Sequence, residues 1–176
     1  GDLLLWLNGT AQNAKNPVAD ETKTAVGAGG GFRFGKTSFS LTGSGYYGKG
    51  IGTTLQFNGV GACDAVAGCG PVNGIGVGSD GELRNSYGFI GQLTFTPSDS
   101  KLTVAASYGS SFLESTDGEP TAFKTENSLI SGGIYYQATK SLKVVGEGNY
   151  AWTKEHEADT DKNTTFAPTV GLMLFF

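Results

Sequence analysis

The chain reads as an all-β, transmembrane antiparallel up-and-down β-barrel, with about eight of its strands present. Three observations predict this. Apolar and polar residues alternate with period two along segments of about 10 to 14 residues, long enough to cross a bilayer at a tilt. The connections between these segments are alternately short and long. Aromatic residues gather near the segment ends, where amphipathic rings favour an interfacial level.

The first segment, 3–12, is ambiguous in parity: Leu3, Leu5 and Leu7 compete with Leu4 and Trp6 for the apolar face. The second, 23–34, carries Val26, Ala28, Gly30, Phe32 and Phe34 on one parity. A tight turn around Gly35 leads into 36–47, with Phe39, Leu41, Gly43, Gly45 and Tyr47. Segment 85–96 shows Tyr87, Phe89, Gly91, Leu93 and Phe95, and a turn from Pro97 to Ser100 follows. Segment 101–113 continues with Leu102, Val104, Ala106 and Tyr108, and segment 125–137 with Ile130, Gly132, Ile134 and Tyr136. After a turn at Ala138 to Lys140, segment 142–153 presents Leu142, Val144, Gly146, Gly148, Tyr150 and Trp152. Segment 164–176 presents Pro168, Val170, Leu172, Leu174 and Phe176. The long connections are 13–22, 48–84, 114–124 and 154–163.

None of the apolar positions named from the second segment onward is charged. A Lys or Arg at a bilayer midplane costs about 2–4 kcal/mol, so the absence is informative. Phe34, Phe39, Phe95, Tyr136 and Phe176 fall near the short-turn end, and Tyr47, Tyr87, Tyr108, Trp152 and Phe166 near the long-loop end. They are read as two aromatic girdles. A soluble sandwich would put its aromatics near strand centres.

Composition agrees. The 176 residues suffice for one domain, read as 1–176, yet only 38% are hydrophobic and 29 are Gly. Barrel strands need be apolar on one face only. No run of about 18 apolar residues offers a transmembrane helix. The net charge of −4 provides no basic stripe for nucleic acid. The chain has no signal peptide and no initiator Met, as expected of a processed protein or a fragment. Cys63 and Cys69 are six residues apart in a Gly- and Ala-rich stretch, and are read as a small disulfide loop suited to an oxidising compartment. With one His and two Cys, a structural metal site is not expected.

The opposite parity is read as the lumen. Its candidate pore-lining residues are Arg33, Lys36, Arg84, Gln92, Lys101, Lys143, Glu147 and Asn149, among many Ser, Thr and Gly. An eight-stranded barrel is narrow and is filled by bulky side chains. A small polar wall suits a water-filled channel of about sixteen strands.

The final strand, ending on Phe176, resembles the closing strand of bacterial outer-membrane barrels. More broadly, the chain resembles the C-terminal half of a Gram-negative general porin. The segments that carry the likeness are Leu-Leu-Leu-Trp-Leu-Asn-Gly-Thr-Ala-Gln-Asn-Ala-Lys-Asn-Pro at the start, Gly-Tyr-Tyr-Gly-Lys-Gly-Ile-Gly-Thr-Thr, Ala-Ala-Ser-Tyr-Gly-Ser-Ser-Phe-Leu-Glu and the closing Gly-Leu-Met-Leu-Phe-Phe. The resemblance implies a homotrimer in the outer membrane, with loops extracellular and termini periplasmic. It implies passive diffusion of small hydrophilic solutes and ions, with outer-membrane lipid and lipopolysaccharide around the barrel. The infolded loop that narrows such pores belongs to the N-terminal half, so no constriction residue is carried over. The competing expectation is a complete eight-stranded barrel acting as an anchor or adhesin without an open pore.

Several motifs are discounted. Gly30 to Thr37 fits the phosphate-loop pattern, but a strand rather than a helix follows it. Gly43 to Gly48 matches a dinucleotide-binding pattern by composition alone. His156, flanked by Glu155 and Glu157, reads as part of a solvated acidic loop. No catalytic set can be assembled and no cofactor is implied, so an enzyme is not expected. The 48–84 connection either folds into the lumen or caps the surface.

Overall fold

The computed structural model describes residues 1–16, 21–52, 76–78, 80–117, 124–155 and 162–176. All regular structure among them is strand: β1 (Asp2–Asn16), β2 (Glu21–Lys36), β3 (Phe39–Lys49), β4 (Asn85–Phe95), β5 (Leu102–Leu113), β6 (Lys124–Gln137), β7 (Leu142–Glu155) and β8 (Lys162–Leu174). Among the described residues no helix is long and apolar enough to cross a membrane, which does not bear on β-barrels. The eight strands form one antiparallel sheet in chain order, each paired with the next. Among the described residues β1 and β8 do not pair with one another, so the sheet has two edges.

About eight strands were expected and eight are present among the described residues, with boundaries moved by up to four residues. The most consequential move is at the first turn. The sequence places it around Gly35, but β2 runs on through Lys36 and the turn is Thr37–Ser38. Lys36 therefore pairs with Phe39. Directly opposed residues share a face, so Lys36 sits with the aromatic residues and not with the polar set. The Pro97–Ser100 turn forms as expected, closed by Ser100 N–H donating to the Pro97 carbonyl at 3.1 Å. Asp99 there has φ 59°, a left-handed conformation that Asp tolerates better than most residues.

Register also settles β1. Leu3 opposes Phe34, Leu5 opposes Phe32 and Leu7 opposes Gly30. Leu3, Leu5 and Leu7 thus join the aromatic face, and Leu4 and Trp6 lie on the polar one.

The two faces differ in exposure in the reverse of the usual sense. On β5, Leu102, Val104, Ala106 and Tyr108 are exposed, while Thr103, Ala105, Ser107 and Gly109 are half-buried. On β6, Ile130, Gly132, Ile134 and Tyr136 are exposed, while Ser131, Gly133, Tyr135 and Gln137 are half-buried. The sheet turns its apolar side outward and shelters its polar side.

The buried hydrophobic cluster is small: Ala25, Tyr46 and Ile51. It lies on the polar face, at the long-loop end of β2 and β3. Ile51 follows β3 and folds back over Gly27 and Gly48, where an added Cβ would meet its δ1 carbon. Gly50, at φ +79°, supplies the left-handed residue this reversal needs. Its N–H donates to the Arg84 carbonyl at 2.7 Å, and Arg84 N–H donates to the Gly76 carbonyl at 3.0 Å. Val77 bridges Leu83. The two stems of the 48–84 connection are therefore tied together at this end of the polar face. Residues 53–75, with Cys63 and Cys69, lie outside the described residues, as do His156 and the acidic stretch around it.

Candidate functional site

Opposed residues across an antiparallel ladder share a face, so the ladders can be followed across the whole sheet. One row on the polar face runs Leu4, Arg33, Thr42, Gln92, Ser107, Ser131, Asn149, Ala167. Six consecutive members can hydrogen-bond through their side chains. Arg33 Nε donates to Ser40 Oγ at 3.3 Å. Ser131 Oγ donates to Asn149 Oδ1 at 2.6 Å, and Asn149 Nδ2 donates to the Ala167 carbonyl at 3.3 Å. The neighbouring row toward the short turns runs Gly35, Ser40, Thr94, Ala105, Gly133, Glu147, Thr169. In it the Tyr135 hydroxyl donates to Glu147 across Gly133. A third row, nearer the long loops, holds Asn8, Tyr46, Ser111, Asn127, Thr153 and Asn163. Tyr46 spans Gly88 to hydrogen-bond Ser111 at 2.8 Å, and Thr153 Oγ1 donates to Asn127 Oδ1 at 2.7 Å. This face is a continuous polar wall.

Most of the pore-lining set falls on this wall. Arg33, Gln92 and Asn149 share one row, and Glu147 lies in the next. Lys101 and Lys143 follow at the short-turn end. Lys101 supplies the carbonyl that accepts from Gln137 N–H, and Lys143 Nζ lies 5.6 Å from the Phe175 ring centroid. Two members depart from the expectation. Lys36 is on the other face. Arg84 precedes β4 and is only 1% exposed, with Nη1 donating to the Glu114 carbonyl at 3.0 Å. Its charge ties the stem of the long connection to the β5 exit instead of facing an open space. Beside it, Asn85 Nδ2 donates to Glu114 Oε2 and Lys23 pairs with Glu82 at 2.7 Å.

The wall is less uniformly polar than expected. Between the Arg33 row and the Tyr46 row runs Trp6, Gly31, Ser44, Ile90, Gly109, Leu129, Ala151. Trp6 lies over Gly31, where a Cβ would collide with the indole. Ile90 and Leu129 remain exposed. Parity alone could have flagged both.

The other face carries the girdle residues. Phe34, Phe39, Tyr47, Tyr87, Phe95, Tyr108, Tyr136, Trp152 and Phe166 all fall on it by register. Phe176 lies beyond the end of β8. At the short-turn end, Phe34 and Phe39 touch with centroids 5.8 Å apart. At the long-loop end, ring contacts form an unbroken chain: Tyr47, Tyr87, Phe112, Phe89, Tyr108, Trp152, Tyr150. Phe112, Phe89 and Tyr150 complete it; the sequence placed Phe89 and Tyr150 on this face without assigning them to a girdle, and Phe112 was not named.

Charges enter this face only near strand ends. Glu126 accepts from Trp152 Nε1 at 2.9 Å and from Ser128 Oγ at 2.9 Å, and pairs with Lys154 at 2.9 Å. This cluster was also missed. The signal was Glu126 sharing the parity of Ile130 and Ile134.

No metal-binding group of three or more His, Cys, Asp or Glu occurs among the described residues. No protein-family profile matches the chain, and no curated protein matches it in sequence. In fold, it is similar to the crystal structure of the outer membrane channel DcaP of Acinetobacter baumannii, with a TM-score of 0.74 at 15% identity. That match covers 98% of this chain and 47% of the other, so the chain spans about half the length of the channel it resembles.

Proposed function

We propose that the chain forms part of the wall of an outer-membrane channel through which small hydrophilic solutes and ions diffuse passively. The observation that carries this reading is the reversed exposure of the two faces. Apolar residues exposed across all eight strands form a surface far larger than a soluble monomer keeps in water. A bilayer supplies the matching solvent, and the aromatic rows at both strand ends suit its two interfaces. The sheltered polar wall then faces water inside.

The two free edges support a barrel larger than eight strands. An edge in hydrocarbon leaves N–H and C=O groups unsatisfied, at several kcal/mol each. In this reading further strands join β1 to β8, and the likeness to a channel of about twice the length supports it. The lumen it encloses tolerates small polar side chains without being filled. Arg33, Lys101 and Lys143 toward the short turns outweigh Glu147, which favours anions.

Single-channel recording in planar bilayers tests the proposal. The full polypeptide is expected to give stable, ohmic conductance with a modest anion preference. A protein that inserts but never conducts would overturn it.

A further inference from the structure

One row of the polar face differs from its neighbours. Trp6, Ile90 and Leu129 lie in it, with Gly31, Ser44 and Gly109 between them. Ile90 and Leu129 are exposed and Trp6 is half-buried, so the row is an apolar strip open on one side. It is bordered on both sides by hydrogen-bonding rows. Toward the short turns stand Arg33, Thr42, Gln92, Ser107 and Ser131. Toward the long loops stand Asn8, Tyr46, Ser111, Asn127 and Thr153. Arg33 is the one charge in either border among the described residues. The others are amides and hydroxyls, which both donate and accept.

At its β1 end the strip is hollowed. A concavity of about 180 Å³ opens there, lined by Trp6, Asn8, Gly29, Ser44, Gly45 and Tyr46. The Trp6 indole lies over Gly31, and Asn8 Oδ1 stands over Gly29, 2.7 Å from where a Cβ would be. Tyr46 is fixed by its hydrogen bond to Ser111 at 2.8 Å. Neighbouring rows of one face stand about 6–7 Å apart, two residues of strand rise. A matching solute has an apolar face and carries hydroxyls on both edges at about that spacing. A pyranose sugar has this form: its ring C–H groups make the apolar face and its equatorial hydroxyls project from the rim. A bare aromatic ring would leave both polar borders desolvated and unpaired. A small anion finds a charged partner only at Arg33.

We propose that this concavity is a subsite for a neutral pyranose sugar, stacked on Trp6 and hydrogen-bonded through its rim hydroxyls to Asn8 and Ser44. Such a site has the usual make-up of a small-molecule pocket, an apolar platform with a few placed polar groups. The inference deepens the channel reading, and needs from it only that the polar face is open to water.

The test is single-channel recording of the full polypeptide with methyl β-glucoside as probe and sorbitol, an open-chain polyol of similar size, as control. The glucoside is expected to reduce the wild-type current in a saturable way. Sorbitol is expected to act only through viscosity, without saturation. Trp6→Ala should weaken the block about fivefold, in line with the worth of one aromatic contact, and Trp6→Phe should restore part of it. Asn8→Ala should weaken it about threefold for one lost hydrogen bond, and carries the test even if Trp6→Ala folds poorly. Equal effects of glucoside and sorbitol on the wild type would overturn the proposal. So would a block unchanged in Asn8→Ala and Trp6→Phe alike, or a saturable block by benzoate and not by the glucoside, which would assign the strip to aromatic anions held by Arg33. Saturation-transfer NMR on the detergent-solubilised protein separates the two levels of argument. A protein that contacts the glucoside through Trp6 but never conducts supports the site and contradicts the channel. One that conducts and shows no preference over sorbitol contradicts only the site.

Discussion

The two faces of this sheet differ in what covers their mid-strand glycines. On the aromatic face of β4, β6 and β7, Gly91, Gly132 and Gly146 look onto open space, with nothing within 4 Å of where a Cβ would stand, although Gly30 and Gly43 of the same face lie under Leu7 and Phe32. On the polar face, Gly27, Gly31, Gly88 and Gly133 are roofed by Ile51, Trp6, Tyr46 and Tyr135, whereas Gly35 and Gly171 are open. Where a ring or Ile51 lies over a polar-face glycine, the missing side chain makes room for it to lie flat. The glycines at the middle of the aromatic face of β4, β6 and β7 make no such room.

The sharpest way to break this comparison is to charge each face at mid-strand. Ile134 is 55% exposed, yet Ile134→Lys is expected to cost about 2–4 kcal/mol in vesicles, because the ammonium group would enter hydrocarbon. Ser107→Lys, on the other face, is expected to cost far less. Urea titrations of both variants in lipid vesicles check this, and equal costs would remove the distinction between the faces. Next in size is Gly88→Val. The new side chain would meet Tyr46 and the Ser110 carbonyl, with even its Cβ only 2.7 Å from a Tyr46 ring carbon. A loss of about 1–3 kcal/mol is expected from such overpacking. Gly132→Ala is the matched control and should be neutral or slightly stabilising, since Gly in a strand interior costs roughly 0.5–1 kcal/mol relative to Ala.

Tyr46→Phe should cost less again, about 0.5–1.5 kcal/mol for the lost hydrogen bond to Ser111. Measured beside Gly88→Val, it separates the ring's packing from its hydroxyl. Arg33→Glu is expected to leave stability nearly unchanged and to move the reversal potential toward cations. The same substitution at Arg84 should instead destabilise the protein, since that side chain is buried against Glu114. A selectivity change without loss of stability at Arg84 would mean that the polar wall extends past the start of β4.

Strand number, alternation and the contrast between faces were legible in the sequence because each depends on period-two patterning within one segment. What failed depended on relations between segments. Lys36 was counted from β3 when it belongs to β2, and a shift of one residue moves a side chain to the other face. The parity of β1 was undecidable alone, because Leu3 to Leu7 are apolar throughout, and it resolved only through pairing with Phe32 and Phe34. Arg84 looked like any basic residue at a strand start. Its burial comes from a residue thirty positions away, which no local pattern reports. The Glu126 cluster draws on β6 and β7 at once, and only its parity hinted at it.

The free rims of β1 and β8 also bear on the order of events during assembly. Such a rim is a template for any passing strand, including one from another copy. Exposed in water for long, 15 residues of β1 and 13 of β8 invite mispairing. Buried in lipid, they cannot stay unpaired at all. If the proposed channel is right, neither solvent tolerates the open rims, and entry into the bilayer is expected to be coupled to closure of the seam.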